Sequence, residues 1–168
     1  VAGVPAVAHP RVGVVSTAGL AMFALGLTLE TAADGQKWLF KGDPANVGRF
    51  CDAGVWKLCQ HPNWMGNLLI WSGILVLNIP TLLAGASHPH GATAWRQYLR
   101  LGCATLSPLF LFALFSGQAN DTIGNAVALS KAKYGSDGAF LAYLEKTPLL
   151  FPTVRSTVAF FRSLVAGQ

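Results

Sequence analysis

The chain has 168 residues, of which 52% are hydrophobic and only 11% charged, with a formal net charge of +5. A soluble domain of ordinary make-up carries about 25% charged residues, so this composition excludes a protein that coats itself in charge. It points to lipid as the solvent, because the apolar residues fall in long runs. The basic excess does not indicate nucleic acid either: the cations flank apolar runs, as at the ends of membrane helices, and no basic cluster is interleaved with stacking aromatics.

The opening VAGVPAVAHP lacks the charged start and apolar centre of a signal peptide. Without an initiating Met it reads as a processed or truncated start. The first apolar run, residues 12–29, holds 18 residues without a charge between Arg11 and Glu30. At about 1.5 Å per residue that just reaches the roughly 30 Å of a hydrocarbon core. Gly13, Gly19, Ala21, Ala24 and Gly26 thin its surface, which predicts close packing against another helix; another subunit is the expected cover.

Residues 30–63 are expected to form a polar membrane-surface loop. Glu30 and Asp34, four apart, share one helix face, and Lys37 and Lys41 continue the stripe. This is a helix extending out of the first span, and on spacing alone it is also what a solvated helix end with i,i+4 pairs looks like. The following GDPANVGRFCDAGVWKLCQHPNWMGN is too rich in Gly, Pro and Asn to be helical throughout and folds back at the membrane surface. Pro62 pushes His61 out of helical geometry, and Asn63 is placed to cap the next span. His61 alone also reads as a satisfied interfacial histidine. No second His or acid stands three or four residues after it, so no metal site is expected.

The second run, residues 64–86, has 23 residues without a charge, and Pro80 is expected to kink or end it. The third, residues 101–117, contains Pro108 and is preceded by the interfacial aromatics Trp95 and Tyr98. Residues 118–168 read as an extramembrane or interfacial tail: a helix from about Asp121 to Lys133 capped by Asp121, a turn at YGSDGAF, and an amphipathic interfacial helix over 153–166. The fold class is therefore all-α, a single membrane domain over 1–168 with three transmembrane helices. Three spans place the 30–63 loop and the tail on one side with nine basic residues, against Arg11, Arg96 and Arg100 on the other. The positive-inside rule assigns the loop and tail to the cytoplasmic, stromal or matrix side. Three cysteines, Cys51, Cys59 and Cys103, with no CxxC, form no disulfide framework and no zinc pattern.

The order of motifs adds a further reading. Glu30, Asp34, Gln36 and Lys37, then Phe40, Lys41, Pro44, Asn46 and Gly48, then Gly54, Trp56, His61, Pro62, Asn63 and Gly66 form a series that resumes at Ser107 and Pro108 and ends in KAKYGSDGAFLAYLEKTPLLFP. From about residue 20 to 152 this resembles the C-terminal half of the steroid 5-alpha-reductase-like membrane proteins, and among them the bacterial and algal relatives of unassigned substrate; isoprenylcysteine methyltransferases are more distant relatives. The resemblance implies a seven-helix membrane fold and, in the reductases, NADPH held from the cytoplasmic side. Carried over by position, Glu30, Asp34, Lys41, His61, Asn63, Lys133 and Tyr134 are the cofactor-side candidates. Carboxylates and carboxamides suit ribose and nicotinamide, and Lys meets phosphate as a point charge.

The chain departs from the family at Gln60, where Arg is usual, and at Asn67, where Glu is usual, and it lacks the N-terminal helices that carry the family's substrate-side Tyr and Glu. These departures imply a non-catalytic accessory subunit of a larger, organellar (plastid or mitochondrial) membrane complex, with other membrane subunits, lipids or pigments as partners. The alternative is an NADPH-dependent membrane reductase of a lipid or steroid-like double bond, or its cofactor-binding half. A methyltransferase using S-adenosylmethionine is a third reading, which the ADGQK segment fits less well.

Overall fold

Val14 opens a helix, α1 (Val14–Gly42), that does not stop where the apolar run stops. Its 29 residues amount to roughly 44 Å, about 14 Å more than the hydrocarbon core requires. The segment from Glu30 to Gly42 is thus a helical continuation, and only the part from Asp43 to His61 is a loop. A computed structural model describes residues 12–83, 94–119, 122–123 and 126–166 of the chain. Residues 84–86 of the second run, His88, His90, Arg11 and the Asp121 cap lie outside the described residues.

The second span, α2 (Pro62–Leu83), begins with Pro62 in its first turn. Proline is pre-organised there, because the N–H it lacks would have had no helical partner. Asn63 therefore sits inside the helix and is not its cap, a correction to the expectation from sequence. Pro80 does not end α2, which runs on to Leu83. The third span, α3 (Ala94–Ala119), begins seven residues before its apolar run and takes in Trp95, Arg96, Tyr98 and Arg100. Apolar runs mark the part of a helix that meets hydrocarbon; hydrogen bonding carries the helix further into the headgroup region. Among the described residues there are no strands, and these three helices are long and apolar enough to cross a membrane. The fold is an all-α membrane helical bundle.

Two pairs of glycines bring α1 and α2 together as antiparallel neighbours. A Cβ on Gly26 would lie 2.6 Å from the Gly66 carbonyl oxygen, and one on Gly73 would lie 2.8 Å from the Gly19 carbonyl oxygen. The backbones therefore touch at both levels, which only small residues permit. Ser16 adds a hydrogen bond across the pair, its hydroxyl donating to the Leu77 carbonyl at 3.2 Å. The glycine face of the first span is thus covered from within the chain, by α2, where another subunit was the expected cover. Ala21 and Ala24 of the same run stay exposed.

On the loop side the tail forms three short helices: α4 (Ala126–Tyr134), α5 (Gly138–Lys146) and α6 (Val154–Val165). α5 was not expected from the sequence, where YGSDGAF reads as a turn. The turn is present, with the Gly135 N–H bonded to the Lys131 carbonyl, but Asp137 also caps the next helix by accepting from the Ala139 N–H at 2.8 Å. α6 matches the expected amphipathic helix and starts with a reciprocal capping pair between Thr153 and Ser156.

Candidate functional site

The protruding end of α1 acts as a post against which the loop is tied. The Gln36 carboxamide oxygen accepts from the Val55 N–H at 2.8 Å, and the Trp56 indole N–H donates to the Ala33 carbonyl at 2.9 Å. Ala33, Cys51, Val55 and Trp56 form a small buried core, with Leu29, Ala32, Phe40, Leu58 and Phe160 packed on it. Gly54, at φ +55°, has the left-handed conformation that this turn needs, and a side chain there would strike Gln36.

The tail is tied to the loop in turn. Gln60 donates through its side-chain nitrogen to the Leu144 carbonyl at 3.0 Å and the Thr147 carbonyl at 2.7 Å, and its backbone N–H bonds to Pro148 at 2.9 Å. It therefore satisfies carbonyls that the C-terminal end of α5 leaves open. Tyr143 donates its hydroxyl to the Trp56 carbonyl at 2.8 Å, and burial pushes that hydroxyl's pKa well up. Phe50 is the hub of the aromatic packing, with ring centroids 5.2 Å from Phe140, 5.3 Å from Tyr143 and 6.2 Å from Tyr134.

These elements enclose a cavity of about 420 Å³ at the loop end of the spans, within the range of small-molecule sites. Lys37, Lys41, Lys131 and Lys133 line it, and among the described residues no carboxylate does. Aromatic walls come from Phe50, Trp56, Trp64, Phe140 and the two tyrosines. Lys41 donates to the Tyr134 hydroxyl at 2.9 Å and to the Arg49 carbonyl. That hydrogen bond, reinforced by Lys133, holds the Tyr134 phenol below its ordinary pKa, against the opposing effect of burial.

His61 lies flat on Trp64, ring centroids 3.9 Å apart, and Trp64 in turn lies on Phe115 of α3 at 5.0 Å. Burial first, and the Lys37 cation second, lower the His61 pKa to about 4, so the imidazole is neutral at physiological pH. Beside it the Asn63 carboxamide oxygen is buried and has no hydrogen-bond partner among the described residues, and the residue lines the cavity. An orphaned acceptor of this kind is costly unless a ligand supplies the donor.

Five of the seven residues proposed from sequence meet here: Lys41, His61, Asn63, Lys133 and Tyr134. Glu30 and Asp34 do not line the cavity. Glu30 accepts from the Asn67 side-chain nitrogen at 3.1 Å, close to the Gly26–Gly66 contact, and Asp34 is exposed on α1. The stripe of Glu30, Asp34, Lys37 and Lys41, at spacings of four, three and four, is real, but only Lys37 and Lys41, further along α1, reach the cavity. The sequence also left out Lys37 and Lys131 as site residues, although both were visible as flanking cations, and Trp64, whose role comes from stacking. Comparison with known proteins bears on the same segment. A model of the family described as a protein of unknown function (DUF1295) matches residues 3–122.

The chain belongs to the DUF1295 family.

That family is related to steroid 5-alpha-reductase-like proteins. No curated protein and no solved structure matches the chain. The DUF1295 match covers the three spans and the loop that carries His61 and Asn63. The wall made by Lys131, Lys133, Tyr134, Phe140 and Tyr143 lies beyond its end.

Proposed function

We propose that this DUF1295 chain is a membrane-anchored binding module for a phosphate-bearing, ring-containing cofactor, and that it is the cofactor half of a reductase. The observation that carries this reading is the cavity with four lysines, no lining carboxylate among the described residues, and an orphaned Asn63 acceptor. The residues fit NADPH, the cofactor that the resemblance implies. Lys37, Lys41, Lys131 and Lys133 supply positive charge for phosphates, Asn63 accepts from an amide or hydroxyl donor, and the aromatic walls offer surfaces for flat rings. When bound, NADPH would supply a hydride. Neutral His61 would keep its place in the ring stack without adding charge beside the cofactor.

Titration of the purified protein with NADPH, followed by nucleotide fluorescence, tests this reading. Saturable binding is expected, weakened about tenfold by Asn63→Ala and by Lys41→Met, each of which removes one hydrogen bond or charge. No measurable binding by protein that keeps its unfolding transition would overturn it.

A second reading, a non-catalytic subunit of a larger membrane complex, is supported by α3. None of the residues in its most apolar stretch is buried, and Leu106, Leu109, Phe110 and Phe112 are exposed along it. Co-purification of a stoichiometric membrane partner, displaced by polar substitutions at Leu109 and Phe112, would support that role. The cavity favours ligand binding over a purely structural role, and both readings are compatible with an integral membrane protein whose loop and tail face the basic side.

A further inference from the structure

The tail helix α6 leaves a continuous apolar stripe exposed. At about 100° per residue, Val154, Val158, Phe161 and Val165 share one face, and they are 84%, 43%, 58% and 91% exposed. Ser156, Phe160 and Ser163 lie on the opposite face. Ser156 is buried there and Phe160 packs on the core formed by Ala33, Cys51, Val55 and Trp56. Arg155 and Arg162 lie between the two faces, both exposed, and α6 has no acidic residue. The helix is therefore docked to the protein by one side and presents its other side to the surroundings.

The depth of that docking is readable. The core on which Phe160 rests includes Ala33, four residues beyond Leu29, the last residue of the charge-free run. Four residues of helix are about 6 Å, and the headgroup region extends roughly 5–7 Å beyond the hydrocarbon on each side. α6 thus packs at the level of the headgroups.

We infer that α6 is an in-plane anchor that buries Val154, Val158, Phe161 and Val165 in the adjacent leaflet and binds anionic lipid headgroups through Arg155 and Arg162. The apolar stripe gives the attachment and the two cations, uncompensated within the helix, give the preference for anionic lipid. The capping pair at Thr153 and Ser156 starts the helix through its own hydrogen bonds, so the anchor is formed before lipid is met.

The test uses the full chain with Cys103→Ser, reconstituted in nanodiscs of phosphatidylcholine alone or with phosphatidylglycerol. Spin labels at Val158→Cys and Phe161→Cys, with Ala159→Cys as an off-stripe control, are probed by collision with oxygen and with a nickel chelate. The stripe positions are expected to favour oxygen, and the control nickel. Hydrogen exchange over residues 158–165 is expected to slow in the anionic discs by roughly fivefold per arginine, and Arg155→Gln with Arg162→Gln is expected to abolish the difference. Stripe labels open to nickel would overturn the inference. So would labels shielded from both probes, which would mean a protein cover, or equal exchange in the two lipids.

Discussion

Lowering the pH should loosen this protein through one imidazole. His61 is held at a pKa of about 4, against about 6.5 for an unperturbed histidine. The folded state therefore binds fewer protons than the unfolded state between those values. Stability from this group is full above about pH 6.5 and is lost as the pH falls toward 4. The two values differ by about 2.5 units at about 1.36 kcal/mol each, so moving from pH 7 to 4.5 costs about 2 kcal/mol. Thermal unfolding in detergent measures the cost: the wild type should lose stability over this range, and His61→Gln should show a shallower slope. A direct reading comes from the His61 ring protons by NMR, identified by their absence in the variant. A His61 titration midpoint near 6.5, or a variant with the wild-type slope, would refute the burial argument.

Gly66→Ala should destabilise the α1–α2 pair, since its methyl would lie 2.7 Å from the Glu30 backbone nitrogen; overpacking of about 1–3 kcal/mol outweighs the roughly 1 kcal/mol that alanine gains in helix propensity. Gly102→Ala, with nothing within 4 Å, should be neutral or mildly stabilising in the same unfolding assay. Gln60→Ala should cost about 1–3 kcal/mol by stranding the Leu144 and Thr147 carbonyls, and limited proteolysis should then cut first near residues 147–153. Lys41→Met should raise the Tyr134 pKa toward its ordinary value, seen as a shift of one phenolate transition to higher pH in the ultraviolet titration.

The three spans were legible because lipid demands long charge-free runs, and their true ends were not, because a helix needs hydrogen bonds and not apolarity to continue. The continuation of α1 past Glu30 was foreseen from the stripe of Glu30, Asp34, Lys37 and Lys41, yet the same stripe grouped the acids with the lysines. Only the packing of the tail shows that α1 delivers Lys37 and Lys41 to the cavity and keeps Asp34 outside it. α5 was missed because Asp137 does two tasks, closing a turn and capping a helix, and sequence patterns record the first more strongly. The glycines of the first span announced a close neighbour but not which one; the partner stripe, Gly66 and Gly73, was in the same chain at the same seven-residue interval. Gln60 and Asn67, read as departures from a family pattern, are both satisfied here, one by the end of α5 and the other by Glu30.

The two walls of the cavity are held by very different means. Separating α1 from α2 would mean parting backbones that touch at two glycine pairs. Swinging the tail away would break hydrogen bonds from Gln60 to Leu144, Thr147 and Pro148, from Tyr143 to Trp56 and from Lys41 to Tyr134, and would part Phe50 from the tail's rings and Phe160 from the Trp56 core. The pocket thus has a back of touching backbones and a front of interlocked side chains, so the second is the side where substitutions can loosen it.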